Sequence, residues 1–223
     1  MMICIPIMAC DTSDALEKMS VSSSQCDFME VRLDVMEAFD LKKIIAAASR
    51  PLIFTYRSKK EGGEGSAPYG ARVDYLKQAA RLGADFVDVE YTMPLEHRRS
   101  LFEDHGDTKI ILSKHFRNGT PSKETLSNLL RKMAATGAQV VKIVTQAKTF
   151  EDNLTVLGLI FQAEKMGVKI VAFCMGPFGR ISRAACPFLG GAFTFASLEK
   201  GQESASGQIT AKEMKLILGA LSS

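Results

Sequence analysis

Lys142 sits within Val140-Val141-Lys142-Ile143-Val144, a run of β-branched residues that otherwise reads as a buried strand. An ammonium there must be either paired or discharged. Burial disfavours the charged form and pulls a lysine pKa down from about 10.4. An unperturbed lysine is less than about a thousandth neutral at pH 7, whereas one tuned to about 7–8 offers a free amine able to attack a carbonyl. From this run alone, the commoner case is a lysine whose stem is buried and whose head snorkels or meets a carboxylate. His115, in the apolar run that precedes it, shifts the balance. A lone strand histidine is more often a hydrogen-bonded core residue, but beside a strand lysine an imidazole titrating near neutrality can pass protons in both directions.

The elements that must position these two side chains are β-branched runs alternating with longer helical patterns, the rhythm of βα units around a parallel sheet. Strands are predicted at 3–8, 28–34, 52–57, 86–90, 109–116, 140–145, 169–175 and 193–197, with helical stretches such as 69–82, 122–136 and 150–166 between them. Gly83, Gly137 and Gly167 each stand where a helix would close before a strand. Eight units at a spacing of about 28 residues fit a single-domain (β/α)₈ TIM barrel, whose chemistry gathers at the C-terminal ends of the strands. Those ends carry Glu30, Arg32 and Asp34, then Arg57, then Asp88 and Glu90, then His115, then Lys142. Glu30, Arg32 and Asp34 share the i, i+2, i+4 parity of one strand side. Any one of these charges is explained by a structural ion-pair network, but five consecutive strands delivering charge or imidazole to one rim predict a common site.

Three further segments belong to the same rim. Glu61-Gly62-Gly63-Glu64-Gly65 is too acidic and irregular to cradle a phosphate and reads as a mobile connection from which Glu61 can reach back to orient an imidazole. Arg180 and Arg183 follow strand seven, where a guanidinium could take a carboxylate bidentately. The small-residue stretch 200–208 is long enough to fold over a ligand, and its plain alternative is a flexible linker. His97 and His105 match no zinc spacing and read as a solvated helix face.

Composition sets outer limits. A formal charge of +3 without a basic block gives no reason to expect nucleic acid, and five cysteines without a Cys-x-x-Cys pair suit reduced thiols in a cytoplasmic protein. The apolar start is too short to span a bilayer, lacks a basic leader and reads as a first strand, so no membrane partner is expected.

The set Glu30-x-Arg32-x-Asp34, Thr55-x-Arg57, Glu61-Gly62-Gly63, Asp88-Val89-Glu90, Ser113-x-His115, Lys142, Ile181-Ser182-Arg183 and Ser204-Ala205-x-Gly207-Gln208 closely resembles type I 3-dehydroquinate dehydratase, in order and over nearly the whole chain. The resemblance implies a (β/α)₈ barrel, commonly a homodimer, that converts 3-dehydroquinate to 3-dehydroshikimate in the shikimate pathway without metal or organic cofactor. It implies that Lys142 forms a Schiff base, that His115 transfers protons and that Glu61 supports the histidine. It further implies that Glu30, Arg32 and Arg57 hold ring hydroxyls, while Arg183, Ser204 and Gln208 surround the substrate carboxylate. Phe116 stands where many relatives have Asp or Asn, and Pro6 about where some bacterial members have a serine. Two other readings remain: a class I aldolase using the same lysine, which would want a phosphate nest near strands seven and eight where only Gly190-Gly191 is close, and a non-catalytic metabolite-binding barrel.

Overall fold

The computed structural model describes residues 1–222. Eight parallel strands, β1 (Ile3–Ile7), β2 (Phe28–Arg32), β3 (Leu52–Thr55), β4 (Phe86–Glu90), β5 (Lys109–Phe116), β6 (Val140–Gln146), β7 (Lys169–Met175) and β8 (Thr194–Phe195), alternate with eight α-helices. The helices are α1 (Thr12–Ser22), α2 (Leu41–Ala46), α3 (Tyr69–Arg81), α4 (Leu95–Glu103), α5 (Lys123–Ala134), α6 (Glu151–Lys165), α7 (Arg180–Phe188) and α8 (Ala211–Ser222). The sheet runs β7-β6-β5-β4-β3-β2-β1-β8, and the Ala192 N–H donates to the Ile170 carbonyl at 2.7 Å, bringing the β8 segment back to β7 and all but closing a (β/α)₈ barrel. No helix among the described residues is long and apolar enough to cross a membrane.

The period-2 pattern sorts each strand into two sides. On β6, Val141 and Ile143 are fully buried in the apolar layer, while Lys142, Val144 and Gln146 line the barrel mouth. The β-branched neighbours of Lys142 therefore do not form its head-group environment, contrary to the simplest reading of the run.

Four strands are shorter than the sequence predicts, β1 only by Met8 at its end. β2 ends at Arg32 because Leu33–Val35 coils into a 3-10 turn, which takes Asp34 out of the strand parity. Asp34 is an anchor under the rim: its carboxylate accepts from Arg32 Nε and NH2, both at 2.8 Å, and from the backbone N–H groups of Arg57 and Glu64. β3 ends at Thr55, so Arg57 projects from the following segment. β8 is reduced to two residues, with Ala196 and Ser197 making irregular bonds to Cys4 and Ile209.

Candidate active site

The strand ends enclose a cavity of about 360 Å³ that is lined by all nine predicted site residues: Glu30, Arg32, Arg57, Glu61, His115, Lys142, Arg183, Ser204 and Gln208. Lys142, from β6, is 4% exposed. Its Nζ meets Glu30 Oε1 at 3.3 Å and Asp88 Oδ2 at 3.0 Å, and lies 4.2 Å from the centre of the Phe195 ring. Of the two outcomes open to a buried strand ammonium, the structure shows pairing. Neither carboxylate belongs to Lys142 alone: Glu30 Oε1 also accepts from Thr55, and Asp88 Oδ2 stands 2.8 Å from Arg57 NH2. Asp88 is held well below the usual carboxylate range: burial opposes ionisation, but Arg57 and Lys142 outweigh it. Arg57 completes the network at Glu90 and Ser113, and Ser113 donates to Asp88 at 2.5 Å.

His115 reaches the same cavity from β5. Its backbone N–H and ring Nδ1 both contact Glu61 Oε2, at 2.9 and 3.1 Å. With Nδ1–H donated to that carboxylate, Nε2 is left as the free lone pair. Burial, then the charges of Arg57 and Lys142, press the imidazole down to about 4 against the pull of Glu61, so it is a free base at neutral pH. Glu61 is held below the ordinary carboxylate range: burial opposes this, but the His115 ring, Arg57 and Thr92 prevail.

The two shifts act on stability in the same direction. As pH falls below about 6.5 the unfolded chain takes up a histidine proton that native His115 refuses until about 4, and below about 4.5 the contribution of ionised Glu61 is lost in turn. Melting temperature should therefore decline steadily from pH 6.5 to 4, and His115→Asn should flatten that part of the curve by several degrees in a thermal melt series. A slope unchanged by the substitution would contradict the assigned shift.

The turn carrying Glu61 is not the loose connection expected from its glycines. Gly63 donates to the Ser58 carbonyl at 2.9 Å and Gly65 to that of Arg57 at 3.0 Å. A Cβ on Gly63 would run into the Arg57 carbonyl and the Asp34 carboxylate. These glycines allow close backbone approach, which composition alone does not distinguish from flexibility.

Arg183, on the first turns of α7, is 1% exposed and stacks 4.6 Å from the centre of the Phe173 ring. Arg180 is exposed and lies outside the cavity lining, whereas Arg183 is part of it. Arg183 NH2 donates to the Ser206 carbonyl at 3.2 Å, its Nε has no partner, and no carboxylate pairs with it among the described residues. Burial pulls it down to about 10. A guanidinium desolvated at a cavity wall without a counter-ion is a site prepared for an anion. The 200–208 segment folds over it: the Ser204 N–H and hydroxyl pair with the Gln208 amide at 2.8 and 3.1 Å, and Gly207, at φ +82°, abuts the Gly176 carbonyl where any Cβ would clash.

Arg117, Gln146, Phe173, Met175 and Phe195 also line the cavity, although the sequence reading passed over them. Gln146 could have been found from the Lys142, Val144, Gln146 parity, and Met175 from its place at the end of β7. Gly190 and Gly191 offer no phosphate nest at this mouth: they bond back to Pro187 and Cys186, closing α7 at the opposite end of the barrel.

A family model described as Type I 3-dehydroquinase matches residues 3–223. The chain is 38% identical over 212 residues to a 3-dehydroquinate dehydratase of Thermococcus gammatolerans, covering 95% of each. It is 37% identical over 223 residues to a chloroplastic bifunctional 3-dehydroquinate dehydratase/shikimate dehydrogenase of Arabidopsis thaliana, covering 96% of this chain and spanning only 36% of that protein. Among solved structures, a type I 3-dehydroquinate dehydratase from Clostridium difficile carrying covalently modified comenic acid superposes with a TM-score of 0.86 at 28% identity, over 99% of this chain and 91% of that one.

Proposed function

The chain belongs to the type I 3-dehydroquinase family, whose members are hydro-lyases of the shikimate pathway, and from that premise we propose that it dehydrates 3-dehydroquinate to 3-dehydroshikimate through a Schiff base on Lys142. One observation carries the reading: a single cavity presents an amine, an imidazole with Nε2 free and a buried guanidinium without a counter-ion. A cyclic hydroxy-keto acid has a group for each.

In this reading the carboxylate lies on Arg183 beside Ser204 and Gln208, which turns the ring ketone toward Lys142. The amine passes a proton to a neighbouring base, attacks the carbonyl carbon and expels its oxygen as water, leaving an iminium. Glu30 and Asp88, which hold Nζ, are placed to receive and return that proton. The iminium withdraws electrons from the adjacent carbon, His115 Nε2 removes a proton there, and the resulting enamine drives out the hydroxyl beta to the iminium carbon. The imidazolium returns the same proton to that leaving oxygen, so the histidine ends the cycle neutral. Water then hydrolyses the conjugated iminium and frees Lys142, for a net loss of one water. Glu61 holds the ring orientation throughout, and Glu30, Arg32 and Arg57 hold ring hydroxyls.

The test is to add 3-dehydroquinate and follow the ultraviolet absorbance of the conjugated enone. Tight binding without that absorbance would replace the reading with a metabolite-binding barrel.

Arg183→Lys should raise KM by about tenfold to a hundredfold and change kcat less, the cost of losing a charge-assisted forked contact worth about 1.5–3 kcal/mol. Steady-state kinetics measures it, and a ligand complex with the carboxylate far from Arg183 would contradict it.

The same reading includes a homodimer. Phe150 and Leu154 near the start of α6, with Phe178 in the 3-10 turn before α7 and Ile181 in its first turn, stand exposed together, and the Phe150 and Phe178 rings meet edge-on at 5.2 Å. A second copy is the occupant that fits such an apolar patch. Sedimentation at the monomer mass across micromolar concentrations would remove this part. All five cysteines are free, which suits the reducing cytoplasm.

A further inference from the structure

Lys114 lies between Ser113 and His115 on β5, on the opposite side of the strand from both, in register with the fully buried Ile143. Its ammonium nevertheless turns back over the strand end and meets Oε1 of Glu61 at 3.1 Å. The stem passes the ring of Phe116, with Nζ 5.2 Å from its centre. The Thr92 hydroxyl donates to the same Oε1 at 2.5 Å. Lys114 and Thr92 thus occupy one oxygen of the carboxylate, and His115 has the other through both its backbone N–H and Nδ1.

We propose that Lys114 is a positioning residue for His115: by engaging one oxygen of Glu61 it reserves the other for the imidazole, and its positive charge adds to the groups that oppose protonation of that ring. The proposal rests on the reading of His115 as the proton-transfer group. Two electrostatic effects act in the same sense. Lys114 partly neutralises the carboxylate that would otherwise stabilise an imidazolium, and a cation so close opposes a second one directly. The other groups around His115 already oppose the imidazolium on balance: burial, Arg57 beyond β3 and Lys142 on β6 outweigh Glu61, with Arg117 beyond β5 in the same cavity wall and Asp88 and Glu90 on β4 as the further carboxylates. Removing Lys114 moves the ring toward protonation from that starting point. Phe116 fits the arrangement: the Lys114 ammonium lies 5.2 Å from the centre of its ring on the way to Glu61, whereas a carboxylate at 116 would draw it away.

The experiment is an NMR titration of the imidazole in the wild type, Lys114→Met and Lys114→Arg. The chain has three histidines, and the His115→Asn spectrum identifies the resonance. Lys114→Met should raise the His115 titration midpoint by about half a unit or more, Lys114→Arg should leave it near the wild-type value, and high salt should narrow the difference. The acid limb of kcat/KM should move with it while KM stays within about twofold, because Lys114 is not among the residues lining the substrate cavity. Phe116→Asp offers an independent variant with the same expected upward shift. A midpoint unmoved in both Lys114→Met and Phe116→Asp overturns the proposal. A midpoint that moves while the acid limb stays fixed upholds the role of Lys114 and overturns instead the reading of His115 as the base.

Discussion

Lys142→Arg should lose at least about 10⁴ in kcat, and borohydride added with 3-dehydroquinate should leave no adduct on it, whereas the wild type should acquire a stable reduced adduct at Lys142. Arginine preserves the positive charge between Glu30 and Asp88, so the network that anchors Arg57 and Ser113 keeps its counter-ion. What it lacks is an amine that can add to a carbonyl and lose water. The substitution therefore separates covalent chemistry from electrostatics, which Lys142→Ala does not, since alanine also leaves two buried carboxylates short of a partner. Peptide mapping decides the outcome. An adduct on Lys114 would overturn the assignment, although that ammonium is engaged with Glu61 and does not line the substrate cavity. Turnover with no adduct on any lysine would end the Schiff-base mechanism.

His115→Ala should lower kcat by about 10² to 10⁴ while leaving carbonyl capture partly intact, so that borohydride still traps the substrate on Lys142. The reason is a division of labour seen in the geometry: Nζ of Lys142 is held by Glu30 and Asp88, and the imidazole is held separately by Glu61. The loss should fall on turnover more than on KM, because the substrate carboxylate is assigned to Arg183. Single-turnover trapping beside steady-state rates measures both parts. Near-native turnover would show that another group moves the proton, and loss of trapping equal to the loss of turnover would show that the histidine also serves the amine.

Much of this arrangement is written in local pattern. β-branched runs separated by helical periods, with glycines at the helix ends, specify a βα barrel because each signal depends on near neighbours in the chain. Charges at the ends of five successive strands then specify the mouth, since parallel strands joined by crossovers all end on the same side. Of those strand-end groups, Glu30, Arg32, Arg57, His115 and Lys142 line one cavity, while Asp34, Asp88 and Glu90 stand behind them as partners of Arg32, Lys142 and Arg57. Local pattern also misled in identifiable ways. The glycines at 62, 63 and 65 look loose and are tightly bonded, because glycine serves close approach as well as freedom. Asp34 shares the parity of Glu30 and Arg32 yet leaves the strand at a 3-10 turn.

The sequence by itself determined that a lysine and a histidine on adjacent strands would share one rim of a barrel. Only the tertiary structure decided what surrounds them. Period-2 alternation says which residues share a side of a strand, but barrel closure and stagger decide which side faces inward and what lies opposite. Lys142 meets Asp88 and Glu30, 54 and 112 residues away in the chain, and the valines beside it in sequence take no part in holding its head group. Arg183 and Arg180 differ in the same way: three residues apart on α7 they lie near one helix face, yet only Arg183 reaches the packed cavity wall, while Arg180 at the helix start stays in solvent.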